Sequence, residues 1–240
     1  YTGNTAVNAG GLTVNGTFAS ANVQVASGAS LAGSGTLTGQ VSLADGATLN
    51  VASATAPLTV GGLSLASASN LNFALGAPDT PTTLVKVNGN LTLDGILNIS
   101  NASGFGIGVY QLFRYGGSLS DNGLTLGNLP ANFLASQMTL QTALANQVNL
   151  VVDEGDGDLL FWNGSKTHAD GTISGGDGVW GANTNWTNST GKNANGWSGG
   201  HFAVFGGQSG TVTLEGQRSF SGIQFLSGGY QLVGNAGSAL

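Results

Sequence analysis

The chain has 240 residues, 42 of them glycine, with no cysteine, four prolines and a charged fraction of only 7%. Roughly a quarter charged is usual for a globular domain, while a 40% hydrophobic content excludes highly charged disorder and the lack of a strict glycine triplet excludes collagen. The net charge is −6, and the five basic residues Lys86, Arg114, Lys166, Lys192 and Arg218 are scattered, so no basic cluster is offered to a phosphate backbone and nucleic acid is not an expected partner.

The absence of cysteine excludes thiol catalysis and Cys-ligated metals without fixing a compartment. No apolar run approaches the ~20 residues a membrane-spanning helix needs, so no transmembrane segment is expected. No signal peptide is visible at Tyr1. The sequence opens with YTGNTAVNAGG and ends with GNAGSAL, both in repeat-like text, and reads as a fragment of something longer.

From Gly11 onward short apolar alternations follow one another: GLTVNGTFAS, NVQVASGASLAG and GTLTGQVSLADGATLNV. Leu12, Val14, Phe18, Val23, Val25, Leu31, Leu37, Val41, Leu43, Leu49 and Val51 are the predicted inward positions. Spacing of two within runs, broken at Gly, Asn or Asp, predicts strands, and no helical stripe interrupts it. PLTVGGLSLASASNLNFALG continues the pattern, and Ala77–Thr83, with two of the prolines, predicts a loop.

The clearest unit is Leu84–Ser100, LVKVNGNLTLDGILNIS. Its apolar pairs Val85/Val87, Leu91/Leu93 and Leu97/Ile99 are separated by Asn88-Gly89-Asn90 and Asp94-Gly95. These predict three short strands, each turning its pair to one side. Residues 108–130 add aromatics (Tyr110, Phe113, Tyr115), and MTLQTALANQVNLVV closes this half. The acidic stretch DEGDGD then marks a boundary between residues 1–152 and 153–240. The second part holds all four tryptophans and both histidines in a loop-rich insertion over about 159–205, after which the strand pattern returns from Phe202.

No single repeat of this kind can bury its own apolar face, whereas stacked repeats complete both the hydrogen-bond ladder and the core. The expected fold is therefore all-β, an elongated β-solenoid. An antiparallel sandwich is the rival architecture.

Three features resemble the passenger regions of bacterial autotransporters, the type V secretion proteins. One is the repeat grammar of Gly11-Leu12-Thr13-Val14-Asn15-Gly16 and Gly89-Asn90-Leu91-Thr92-Leu93-Asp94-Gly95. Another is YQLFRYGGSLSDNGLTLGNLP followed by NQVNLVV; the third is FWNG with VWGANTNW and FAVFGG. The resemblance covers essentially the whole chain. It implies a right-handed parallel β-helix, exported and carried across the outer membrane by the protein's own C-terminal translocator barrel, which is not in this sequence. It places the protein at the cell surface, anchored at the bacterial outer membrane in full length.

Candidate chemistry is sparse. Ser165, His168 and Asp170 invite a triad reading, but strand neighbours rarely put Ser and Asp on opposite sides of an imidazole, so no catalytic residue is assigned. Asp153, Asp156 and Asp158, with Glu154, Asp170 and Asp177 nearby, are Ca²⁺ candidates, though their spacing is neither an EF-hand loop nor a Gly/Asp nonapeptide. His168 and His201 lack a third zinc ligand. Trp162, Trp180, Trp186 and Trp197 are either ligand-contacting rings or a core under the loops, and neighbouring Phe161, Val179, Phe202 and Phe205 favour packing.

No cofactor is expected. The expectation is a non-enzymatic β-helical scaffold or stalk of a surface-exposed adhesin, with host-cell or neighbouring bacterial surface molecules as partners through adhesion or self-association. The alternatives are a β-helical polysaccharide-processing enzyme (a lyase or tailspike-like glycosidase), which needs paired carboxylates or Ca²⁺ with a basic group, and a purely structural spacer.

Overall fold

The computed structural model describes residues 1–52, 56–78, 83–153 and 158–240. Those residues are all-β, with one helical element, the three-residue 3-10 turn Ala135–Gln137. Two compact units form: one from Tyr1–Gly106 with Tyr110–Ala135, the other from Ile107–Val109 with Ser136–Leu240. Four residues of the expected loop Ala77–Thr83, numbers 79–82, lie outside the described residues.

In the first unit the segment Leu84–Ser100 forms three strands, Val85–Val87, Leu91–Leu93 and Ile96–Asn101. Each belongs to a different parallel ladder. Ile96–Asn101 stacks with Gly11–Thr13, Ser30–Ala32, Thr48–Ala52, Asn70–Leu75 and Thr125–Leu126. Its register aligns Leu12, Leu31, Leu49, Leu71, Leu97 and Leu126 in one column. Leu91–Leu93 lies in a second column, in which Val23, Val41, Leu63, Leu91 and Leu119 are successive partners. Val85–Val87 lies in a third, aligning Phe18, Leu37, Val60, Val87 and Tyr115. Leu31, Leu49, Leu71, Val23, Val41 and Leu37 are fully buried. Each such side chain contributes roughly 1.5–3 kcal/mol of transfer free energy. A period of two within each strand thus becomes three apolar columns, and Phe73 meets Phe113 edge-on at 5.7 Å among them.

The long strands Thr36–Leu43 and Leu58–Leu65 each serve two columns, and their mutual register shifts between Leu37 and Gln40. Glycine makes that bend because the turns approach too closely for any Cβ. One added at Gly39 would lie 2.1 Å from the Ala21 carbonyl oxygen, and one at Gly61 2.2 Å from that of Thr38. Neither has a positive φ. A different corner uses the left-handed region, with φ of 76° at Gly28 and 74° at Gly46, and the Gly28 N–H donates to the Gly46 carbonyl at 3.0 Å.

The outer face is also stacked. Asn72 Nδ2 donates to Asn50 Oδ1 at 3.0 Å, and Asn98 Nδ2 donates to Asn72 Oδ1 at 3.0 Å. The Asn128 N–H ends this run on Asn98 Oδ1 at 2.9 Å. Successive members are 22, 26 and 30 residues apart, whereas Asn4 and Asn22, joined by the same kind of bond near the start of the chain, are 18 apart. The turns lengthen along the chain while the strand register holds, because the extra residues enter the corners. Such amide ladders satisfy each side chain with the turns above and below.

The second unit keeps parallel pairing and adds antiparallel excursions. Leu159–Trp162, Phe202–Phe205 and Gly222–Phe225 pair in parallel. So do Gly178–Trp180, Thr211–Leu214 and Gln231–Gly234. Trp186–Thr187 runs antiparallel to Leu159–Trp162, and Met138–Gln141 forms an antiparallel pair with Gln147–Val152. Leu159–Trp162 is buried throughout. Leu160 and Trp162 enter one apolar cluster, and Leu159 and Phe161 enter another on the opposite face. Gln224 acts as a surrogate strand: its Nε2 donates to the Val109 carbonyl, and its Oε1 accepts from the Val109 N–H, both at 2.9 Å.

Candidate functional site

The second unit gathers most of the residues the sequence singles out. Trp162, Trp180 and Trp186 are fully buried and Trp197 nearly so, in one cluster with Leu160, Phe205, Val212 and Leu214. Trp186 lies at its centre, 5.2 Å from Trp162, 5.0 Å from Trp180 and 4.5 Å from Trp197 between ring centroids. The Trp162 indole N–H donates to the Gly176 carbonyl at 2.8 Å, and that of Trp197 to the Ser219 carbonyl at 3.1 Å. The Trp180 and Trp186 N–H groups have no acceptor among the described residues. The first two bonds fasten the glycine-rich loops, whose side chains are too small to anchor themselves, onto the aromatic core.

Tyr230 packs on the same core, 5.3 Å from Phe205, and its hydroxyl donates to the Gly206 carbonyl at 2.7 Å. Burial pushes its phenol from the ordinary 10.0 up to about 12. A raised folded-state value means the neutral form is favoured by folding. This contribution is complete below pH 10 and is lost as pH rises from 10 toward 12, where the unfolded chain ionises first. Thermal melting between pH 8 and 12 should therefore show an alkaline fall in stability that Tyr230→Phe reduces; an unchanged slope in the variant would remove Tyr230 as its cause.

Ser165, His168 and Asp170 are not joined. Lys166 Nζ donates to Asp170 at 2.7 Å, and Thr172 donates through its hydroxyl at 2.6 Å and its N–H at 3.0 Å. The Lys166 bond first, then those from Thr172, hold the Asp170 carboxyl far below the usual carboxylate range. His168 is exposed. Asp177 is used locally, accepting from the Thr211 N–H at 2.7 Å.

The structure instead aligns Ser198, His201 and Asp158, a set that no spacing in the sequence signals. Ser198 Oγ lies 2.8 Å from His201 Nε2, and His201 Nδ1 lies 3.6 Å from Asp158 Oδ1. The order is that of a Ser-His-acid line, but the second distance exceeds a hydrogen bond and the acid is half exposed. The adjacent cavity, about 270 Å³, is lined by Asp153, Asp158, Leu159, Gly200, Phe202, Ser221 and Ile107, with neither Ser198 nor His201 in its wall. A substrate carbonyl held there would not meet the serine. Glu154 and Asp156 lie outside the described residues. Among the described residues no three His, Asp or Glu side chains gather as a metal site, and no helix is long and apolar enough to cross a membrane.

No family model matches the chain, and no solved structure matches it. A curated relative, the BmaC autotransporter adhesin of Brucella suis biovar 1 (strain 1330), is 40% identical over 261 aligned positions. That alignment covers 98% of this chain and 7% of the relative, so the chain spans only a small part of that protein's length. The match agrees with the passenger-like motifs and supports a cell-surface protein of the type V secretion class, anchored at the outer membrane in its full-length form. Over nearly its whole length, this chain matches a passenger-domain fragment of an autotransporter.

Proposed function

We propose that the chain is a non-enzymatic segment of a surface-exposed adhesin, a right-handed parallel β-helix acting as scaffold or stalk and holding its loops away from the cell. The observation that supports this reading most is the likeness to a passenger segment of an autotransporter adhesin across nearly all of the chain. Its physical counterpart is the set of parallel columns in the first unit, in which strand register is kept from turn to turn while the corners lengthen. A ladder of this kind transmits position along the chain and presents corners and loops at fixed intervals. The partners are host-cell or neighbouring bacterial surface molecules, reached through the loop-rich second unit.

The test is attachment of cultured cells to beads carrying the purified chain, compared with a variant carrying alanine at the exposed loop positions Ser165, Thr167, His168, Lys192 and Asn193. Adhesion should follow the native loops. Equal attachment by both proteins would reject a loop-borne adhesive role, and no attachment by either would reduce the segment to a spacer.

A further inference from the structure

Every charged side chain among the described residues of the first unit lies in one of two places. Lys86 and Arg114 are exposed on the outer face of the third column, and Asp45, Asp94 and Asp121 lie at the corner that joins the second column to the first. That corner is stacked directly: Asp45 Oδ1 accepts from the Ala68 N–H at 2.8 Å, and Asn122 Nδ2 donates to Asp94 Oδ2 at 3.4 Å. Lys86 and Arg114 are register partners, so their backbones are about 4.8 Å apart. Neither enters an ion pair among the described residues, and like charges directly opposite in a sheet repel. The same outward position on earlier turns holds Thr59, Thr36 and Thr17. The two cations therefore end a neutral lane that offers them no counter-charge.

The carboxylates follow the same interval. Asp121 is the register partner of Leu93, the residue before Asp94, which puts Asp94 and Asp121 on successive turns. Those are the turns that carry Lys86 and Arg114. Each of the two turns thus has a cation on one side and a carboxylate on another, at one level of the stack. Anchoring adds an orientation: copies held at one outer membrane point the same way and set equal turns at equal height. Charges that do not meet within one copy then face each other between two.

We propose that neighbouring copies of this chain on one cell associate side by side, with Lys86 and Arg114 of one copy against Asp94 and Asp121 of the next. The proposal rests on the stalk reading above, which supplies the parallel orientation, and not on the adhesive loops. The two surfaces in contact differ, so the association is heterologous and extends into rows instead of closing as a dimer. Exposed ion pairs hold weakly in solution, whereas tethering on one surface makes each encounter effectively intramolecular. A soluble polyanion is the rival occupant of the cation face.

The experiment is resonance energy transfer between donor- and acceptor-labelled intact chains tethered through the C-terminus to a supported lipid bilayer. The dyes sit on a cysteine placed in the tag, since the chain has none. Transfer above the level of random distribution should appear at about 20 mM salt and fall at least about twofold at about 0.5 M. Lys86→Glu with Arg114→Glu should abolish it, as should Asp94→Lys with Asp121→Lys, and a mixture of the two variants should restore it. Both cations are exposed, so their reversal leaves the melting temperature unchanged. Where the reversed acids disturb their corner, Asp94→Asn with Asp121→Asn keeps the oxygen acceptors and should still abolish transfer. In a mixture of isotopically heavy and light copies, a carbodiimide should link Lys86 of one to Asp94 or Asp121 of the other. Random-level transfer by the native chain, equal transfer by the reversed-cation variant, or no restoration in a mixture of folded variants overturns the contact. Heparin capture through Lys86 and Arg114 with random-level transfer would assign the face to acidic glycans instead. The tether itself imposes the parallel orientation, so random transfer counts against the contact and not against the stalk reading. Transfer without cell attachment to beads leaves the contact standing and removes the adhesive reading.

Discussion

Leu91→Asp should unfold the turns around it. Leu91 is 1% exposed and sits between Leu63 and Leu119 in the column of the second ladder. A carboxylate there loses its water, and its register partners are leucines, so neither a counter-charge nor a hydrogen-bond donor is supplied by the column. An uncompensated buried charge costs about 3–5 kcal/mol, a large share of the ~5–15 kcal/mol by which a domain is stable. In a stacked array each turn is held by its neighbours, so the damage spreads along the column before it spreads elsewhere. Hydrogen exchange should lose protection first in Leu58–Leu65, Leu91–Leu93 and Leu119–Asp121. Thr92→Asp is the control, because Thr92 points the opposite way and faces Ser64 and Ser120. Equal protection in the two variants would show that Leu91 does not face the core.

Trp186→Ala should have an effect of similar size in the second unit. The indole is fully buried and in ring contact with Trp162, Trp180, Trp197 and Phe205. Removal of a buried aromatic typically costs about 3–5 kcal/mol, with the spread set by how far the cavity collapses. Collapse is restrained here, because Trp162 and Trp197 are fixed by hydrogen bonds to Gly176 and Ser219. Limited proteolysis should open the 160–205 region while the leucine columns of the first unit keep their exchange protection. An unchanged cleavage pattern in that region would refute the anchoring role of the cluster.

The columns of the first unit were legible in the sequence because strand burial follows a period of two. Val85/Val87, Leu91/Leu93 and Leu97/Ile99 announce themselves in seventeen residues, and all six are buried in three strands. Register was not legible. It depends on which turn lies beside which, and the spacing of the asparagine ladder changes from 22 to 30 residues as corners lengthen. That variable spacing hides neighbours: Lys86 and Arg114, scattered on paper, are register partners. The role of glycine was likewise only half visible, since Gly39 and Gly61 are required by close approach of neighbouring backbone and not by a positive φ.

Candidate sites were harder to read. Ser165, His168 and Asp170 are close in sequence, yet the ammonium of Lys166 and the hydroxyl of Thr172 take the aspartate. Ser198, His201 and Asp158 come together only because Leu159–Trp162 and Phe202–Phe205 pair in parallel, which brings the residues preceding each strand side by side. The Gln141–Asn149 amide pair was invisible for the same reason: that Gln141 Nε2 and Asn149 Oδ1 have no partner among the described residues is a consequence of burial, not of residue type.

By itself the sequence determined an all-β chain with inward-facing apolar pairs, a low charge and a likeness to autotransporter passengers, because these depend on local alternation, composition and short motifs. The tertiary structure alone decided which pairs share a column, where four tryptophans converge and which buried amide atoms have no partner among the described residues. Those features depend on contacts between residues far apart in the chain, and such contacts are fixed by packing and hydrogen-bond satisfaction rather than by local pattern.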